Sequence, residues 1–95
     1  MDNDYQVDFG YVSHLFTRWL PEHIIQKLHF WACRIEMIGL EETRKIKSFH
    51  DEPLKGNRSG QRSIRLNRSY RAIYEVDDRE KIILVIVVEV HKHEY

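Results

Sequence analysis

The residues of this chain best suited to chemistry sit in its middle and at its end. Between Arg44 and Arg71 the basic side chains are Arg44, Lys45, Lys47, Lys55, Arg58, Arg62, Arg65, Arg68 and Arg71, and only Asp51 and Glu52 oppose them. The chain holds 15 Lys and Arg against 15 Asp and Glu. That zero total hides a basic middle between acidic flanks, and the local field is what attracts phosphate. A solvated charged loop has the same composition, so charge alone leaves both readings open. The C-terminal run His91-Lys92-His93-Glu94-Tyr95 adds imidazoles that titrate near neutrality, and an aromatic ring. His91 and His93, two apart on a strand, point the same way but supply only two ligands. Neither a metal nor another cofactor is therefore expected. The single cysteine, Cys33, excludes a disulfide framework, and its place in an apolar helical pattern predicts a buried, inert thiol.

These residues need a scaffold, and the hydrophobic pattern supplies one. Tyr5 to Phe9 alternates as a short strand. Tyr11 to Leu20 carries Val12, Leu15, Phe16, Trp19 and Leu20 at helical spacing, and Pro21 ends that segment and suits the first turn of the next. A second helix is predicted from the stripe Ile24, Leu28, Trp31, Ile35 and Ile38, with Gly39 as its stop. Leu40 to Ser48 reads as a shorter, charged helix. Pro53, Gly56, Asn57, Ser59 and Gly60 mark an irregular segment. Three strands follow, over residues 62–67, 70–76 and 82–90. The second places Tyr70, Ala72, Tyr74 and Val76 on one face; the third is β-branched and is predicted central and buried on both faces. Short connections make the three an antiparallel meander.

The fold class is therefore α+β: N-terminal helices packed on one face of a small antiparallel sheet, in a single domain spanning residues 1–95. Trp19, Phe30 and Trp31 are predicted core residues. The opposite sheet face holds Arg71 and Glu75. If alternation continues past Val90, it also holds Glu89, His91, His93 and Tyr95. The longest apolar run, Ile82 to Val88, is far short of the roughly 20 residues that span a bilayer. The first ten residues are polar and acidic, unlike a secretory leader. A reducing cytoplasmic setting without a membrane partner is expected.

The run Glu52-Pro-Leu-Lys-Gly-Asn-Arg-Ser-Gly, the basic strand after it, Tyr70-Arg71-Ala-Ile-Tyr74, and the ending His91-Lys-His-Glu-Tyr95 resemble the RelE/ParE superfamily. These are toxins of type II toxin–antitoxin systems, and the likeness, over residues 49–95, is to the YoeB-like and HigB-like mRNA interferases. It implies a ribosome-dependent endoribonuclease that needs no metal. The ribose 2′-hydroxyl attacks the neighbouring phosphate, a base takes its proton, an acid protonates the leaving 5′-oxygen, and cations hold the charge on the phosphorane.

Carried over position by position, the resemblance makes Glu52 the general base, although a turn residue before Pro53 would look the same. Arg71 becomes the grip on the scissile phosphate, against the alternative of a surface ion pair with Glu75. Tyr95 would stack on a base or orient the attacking hydroxyl. The YoeB-like ending is His-Tyr where this chain has Glu94-Tyr95, so the acid falls to His93 or Glu94, with His93 preferred and His91 also a candidate. Lys55, Arg58, Arg62 and Arg65 are expected on the RNA backbone. The implied partners are a cognate antitoxin, mRNA on the 70S ribosome, and operator DNA only through the antitoxin. Phe30, Cys33 and Met37 form a second apolar stripe that could receive the antitoxin. A ParE-like gyrase poison, or a non-catalytic binding member of the same fold, is the alternative.

Overall fold

The computed structural model describes residues 4–92. Strand β1 (Asp4–Asp8) leads into irregular turns, then helix α1 (Glu22–Ile38) and the short helix α2 (Leu40–Arg44). Four strands follow: β2 (Glu52–Pro53), β3 (Arg62–Arg65), β4 (Tyr70–Arg79) and β5 (Ile82–Lys92). They form one five-stranded sheet in the order β1-β5-β4-β3-β2. β2 to β5 are antiparallel, as the short connections require, whereas β1 joins β5 in parallel, with Tyr5 opposite Ile83 and Val7 opposite Val85. The sheet is thus mixed. A parallel neighbour demands a long crossover, and the helical segment between β1 and β2 provides it.

α1 starts where Pro21 presets the backbone and ends where Gly39 adopts φ 88°. Gly39 is needed twice over, because a Cβ there would also lie 3.2 Å from the Tyr5 ring on β1. The helix buries Ile24, Leu28, Trp31, Ala32 and Ile35 against the sheet. Their counterparts are Ile64 of β3, Ala72 and Tyr74 of β4, and Val85, Val87 and Val90 of β5. The Trp31 and Tyr74 rings meet at 5.2 Å near the centre of this core.

Several expectations do not hold. The segment 11–20 forms no α-helix, only a 3₁₀ turn at Ser13–Leu15 among irregular turns. Gly10 donates to the Asp8 carboxylate at 2.7 Å, β-branched Val12 and Thr17 weaken the helix, and Pro21 pulls Leu20 out of it. Phe9, Phe16 and His29 pack ring to ring at 5.6 to 5.9 Å, so tertiary contacts hold the segment instead. Trp19 and Phe30 are 69% and 53% exposed rather than core, and Cys33 is exposed rather than buried. Phe30 and Cys33 lie off the α1 stripe that faces the sheet, and Trp19 lies in the turns before the helix. β5 lies between β1 and β4; β4 is the central strand, and the outward side chains of β5 are only half-buried.

Candidate functional site

The sheet face away from α1 collects the chemistry. Strand pairing aligns Glu52 of β2 with Ser63 of β3, Ser63 with Ile73 of β4, and Ile73 with Glu89 of β5, one row across four strands. The adjacent row is Arg65, Arg71 and His91. A bulge in the β4–β5 pairing at Ile73/Tyr74 sets this arrangement. It lets Val87 and Val90, three apart, both enter the core while Glu89 and His91 turn outward. Glu52, Lys55, Arg58, Arg71, Glu89 and His91 line one open cleft of about 630 Å³, floored by Ile73.

Like charges opposite one another in a sheet are destabilising. Here Arg65 faces Arg71, and His91 lies on the other side of Arg71 in the same row. Arg71 donates through Nη1 to the carbonyls of Asn67 (3.0 Å) and Tyr70 (3.3 Å). Among the described residues no carboxylate pairs with it. The alternative partner, Glu75, accepts instead from Gln61 at 3.2 Å. Arg71 is therefore oriented by backbone oxygens and keeps its charge for the cleft. The Nε of Arg65 is buried with no partner among the described residues, and its Nη1 lies 3.4 Å from His50 Nε2.

Glu89 ties the far wall together. Its Oε1 accepts from Arg58 Nη2 at 3.1 Å, and its Oε2 lies 2.8 Å from His91 Nδ1, although that nitrogen is not aligned for a hydrogen bond. The loop carrying Lys55 and Arg58 is thereby held at the cleft. Glu52 is exposed at its edge.

One expected site residue belongs elsewhere. Arg62 pairs with Tyr74 on the core side of the sheet, one residue out of phase with Arg65, so it is not a cleft residue. Its Nε donates to Asp51 Oδ1 at 2.6 Å, and the Tyr74 hydroxyl donates to Asp51 Oδ2 at 2.5 Å. Arg44 Nε donates to the same hydroxyl at 3.2 Å. The Asp51 side chain is 1% exposed. Burial, followed by the hydrogen bond and charge of Asp51, pushes the Tyr74 phenol well above its usual range, with Arg44 opposing. For Arg62 burial is the largest single influence and works against the charged form, but the hydrogen bond and charge of Asp51, together with Tyr74, outweigh it and the guanidinium is raised.

The structure thus brings together Glu52, Arg71, Lys55 and Arg58, with Arg65 in the neighbouring row. His93, Glu94 and Tyr95 lie outside the described residues. Glu89 and Asp51 were not singled out in the sequence as site residues. For Glu89 the open-face alternation with His91 was the available signal; for Asp51, next to Glu52 in an irregular segment, there was none.

This arrangement, a helical layer on one face of a mixed five-stranded sheet and a polar cleft on the other, defines the fold. The chain has the fold of RelE/YoeB-type toxins. It superposes on a YoeB/ParE toxin from Agrobacterium tumefaciens with TM-score 0.67 at 17% identity, covering 96% of this chain and 99% of that one. The toxin–antitoxin complex RelBE2 from Mycobacterium tuberculosis gives 0.63 at 22% identity, with 96% and 99% covered. A YoeB–YefM complex from Staphylococcus aureus gives 0.64 at 20% identity over 100% of both chains. No family model and no curated protein matches the sequence. No described helix is long and apolar enough to cross a membrane.

Proposed function

We propose that the chain is the toxin of a toxin–antitoxin pair and acts as a metal-independent endoribonuclease on translated mRNA. The observation that carries this reading is the juxtaposition, in one cleft, of an exposed carboxylate, Glu52, with His91 and with Arg71, which no described carboxylate pairs. RNA cleavage by its own 2′-hydroxyl needs such a set. Glu52 takes the hydroxyl proton as O2′ attacks phosphorus. Arg71, pre-aimed by the Asn67 and Tyr70 carbonyls, holds the non-bridging oxygens as their charge grows. The P–O5′ bond breaks, and the leaving oxygen takes a proton from a histidine at the end of β5. We assign that role to His91, which faces Arg71 across the strands and whose ring lies against Glu89. The products are a 2′,3′-cyclic phosphate and a 5′-hydroxyl.

His93, the acid expected from the sequence, and Tyr95, expected to stack on a base or orient the hydroxyl, lie outside the described residues and stay part of the proposal on the resemblance alone. Lys55, Arg58 and Arg65 follow the RNA backbone without choosing sequence. A cognate antitoxin restrains the toxin in the cytoplasm and carries it to operator DNA.

The test is expression without an antitoxin. Growth arrest with cuts mapped in a translated message is expected, and Arg71→Ala should relieve both while the protein stays folded. Its side chain lies on the sheet face away from the core. Growth arrest with DNA breaks and intact message would instead identify a gyrase poison, and full toxicity of Arg71→Ala would remove the cleft from the mechanism.

A further inference from the structure

β2, which presents Glu52 to the cleft, is two residues long and lies at the edge of the sheet. Its second residue, Pro53, has no N–H to give the ladder. Beyond it the Leu54 amide reaches the Gln61 carbonyl at 2.9 Å. So short a strand cannot hold its own register. The chain also enters it under strain: His50 sits in the left-handed region at φ 46°, ψ 51°. Non-glycine residues persist there only where their surroundings over-determine them.

The surroundings do so on both sides. Phe49 is fully buried before His50, and the Asp51 carboxylate is buried after it. Both Asp51 oxygens are engaged, Oδ1 by Arg62 of β3 and Oδ2 by Tyr74 of β4, and Tyr74 is linked onward to Arg44 of α2. This network joins three elements and points away from the cleft. Asp51 immediately precedes Glu52, the first residue of β2; its carboxylate is buried on the core side while Glu52 is exposed at the cleft.

We infer that Asp51 is a positioning residue: its buried carboxylate, clamped by Arg62 and Tyr74, locks the two-residue strand that aims Glu52 at the scissile linkage. The inference rests on the nuclease reading for its kinetic consequence, though the lock itself is a statement about this chain's backbone. A misplacement of about 1 Å in a reacting group can cost about 100-fold in rate.

The experiment is a cycle of variants of the full chain, assayed for single-turnover cleavage of message on purified ribosomes. Glu52→Gln should slow cleavage about 1,000-fold, within the usual range for loss of a general base. Asp51→Asn should slow it roughly 10- to 100-fold with half-saturation unchanged. The double variant Asp51→Asn/Glu52→Gln should be no slower than Glu52→Gln alone, because the first change acts through the second residue. Independent, multiplying losses would overturn the inference, as would a folded Asp51→Asn with wild-type turnover. Should Asp51→Asn fail to fold, Tyr74→Phe removes one of the two clamps and enters the same cycle with a smaller loss.

A second readout separates this inference from the nuclease reading. Exchange of the Leu54 amide should quicken at least about 10-fold in Asp51→Asn while amides of the β4–β5 ladder keep their protection. If the wild-type chain cuts no RNA, the nuclease reading fails and the exchange arm alone decides the lock. Unchanged exchange at Leu54 overturns it.

Discussion

Replacing Tyr74 by Phe removes one oxygen atom and isolates the buried network from everything else in the protein. The ring stays, and with it the packing against Trp31 at 5.2 Å. What goes is the hydroxyl that donates to Asp51 at 2.5 Å and accepts from Arg44 at 3.2 Å. Asp51, 1% exposed, then keeps only Arg62. A hydrogen bond to a charged group contributes about 1.5–3 kcal/mol, and leaving a buried acceptor short of a partner costs a similar amount. The expected loss is therefore about 2 kcal/mol, against about 5–10 kcal/mol of total stability for a domain of this size. At roughly 4–8 °C per kcal/mol, the melting temperature should fall by about 8–16 °C.

The same substitution has an alkaline signature. The folded phenol binds its proton more tightly than the unfolded one, whose ordinary value is 10.0, because of burial and Asp51. Its contribution is fully present below pH 10 and is lost as pH rises toward the higher folded value. Wild type should lose about 1.4 kcal/mol per pH unit there, beyond whatever Tyr74→Phe loses from its other groups. Urea unfolding followed by tryptophan emission, at pH 8, 10 and 11, measures both effects. A variant within about 0.5 kcal/mol of wild type at pH 8, or parallel curves above pH 10, would refute the network.

Arg58 and Arg62 should behave oppositely. Arg58→Ala should leave stability nearly unchanged, since its pair with Glu89 is about two-fifths exposed on each side, while weakening RNA binding and flattening its salt dependence by about 0.7 per phosphate contact. Arg62→Ala should do the reverse, costing about 3–5 kcal/mol by stranding Asp51, with the salt slope of the remaining folded protein intact. Cys33, exposed on the outer face of α1, should react with a thiol reagent in the native protein as fast as in urea; native-state protection would contradict the orientation of α1.

The parts of the fold that announced themselves in the sequence are those with long, regular patterns. α1 is bounded by Pro21 and Gly39 and has an unbroken stripe from Ile24 to Ile35, so its period and its ends agree. β4 and β5 were legible from alternation and β-branching, and with them the outward placement of Arg71, Glu89 and His91. Elsewhere local pattern and tertiary context parted. Val12, Leu15, Phe16 and Leu20 have helical spacing, but ring packing around His29 decides their backbone. Phe30 is large and apolar yet exposed, since a single stripe of α1 already covers the sheet, and Trp19 is exposed in the turns before that helix. The parallel placement of β1 depends on a partner nearly eighty positions away, which no window of residues reports. Arg62 and Arg65 look alike in a basic run, and only the strand's period of two, pinned by Ile64 in the core, sends them to opposite faces.

The proposed activity of this cleft is to break RNA through the RNA's own 2′-hydroxyl. The direct measurement is the chemistry of the ends left on a message cut by purified protein on ribosomes in the presence of a metal chelator that spares them. A 2′,3′-cyclic phosphate on one fragment and a 5′-hydroxyl on the other are expected, lost together in Arg71→Ala. Fragments bearing 5′-phosphates, or cutting that survives Arg71→Ala, would contradict the proposal.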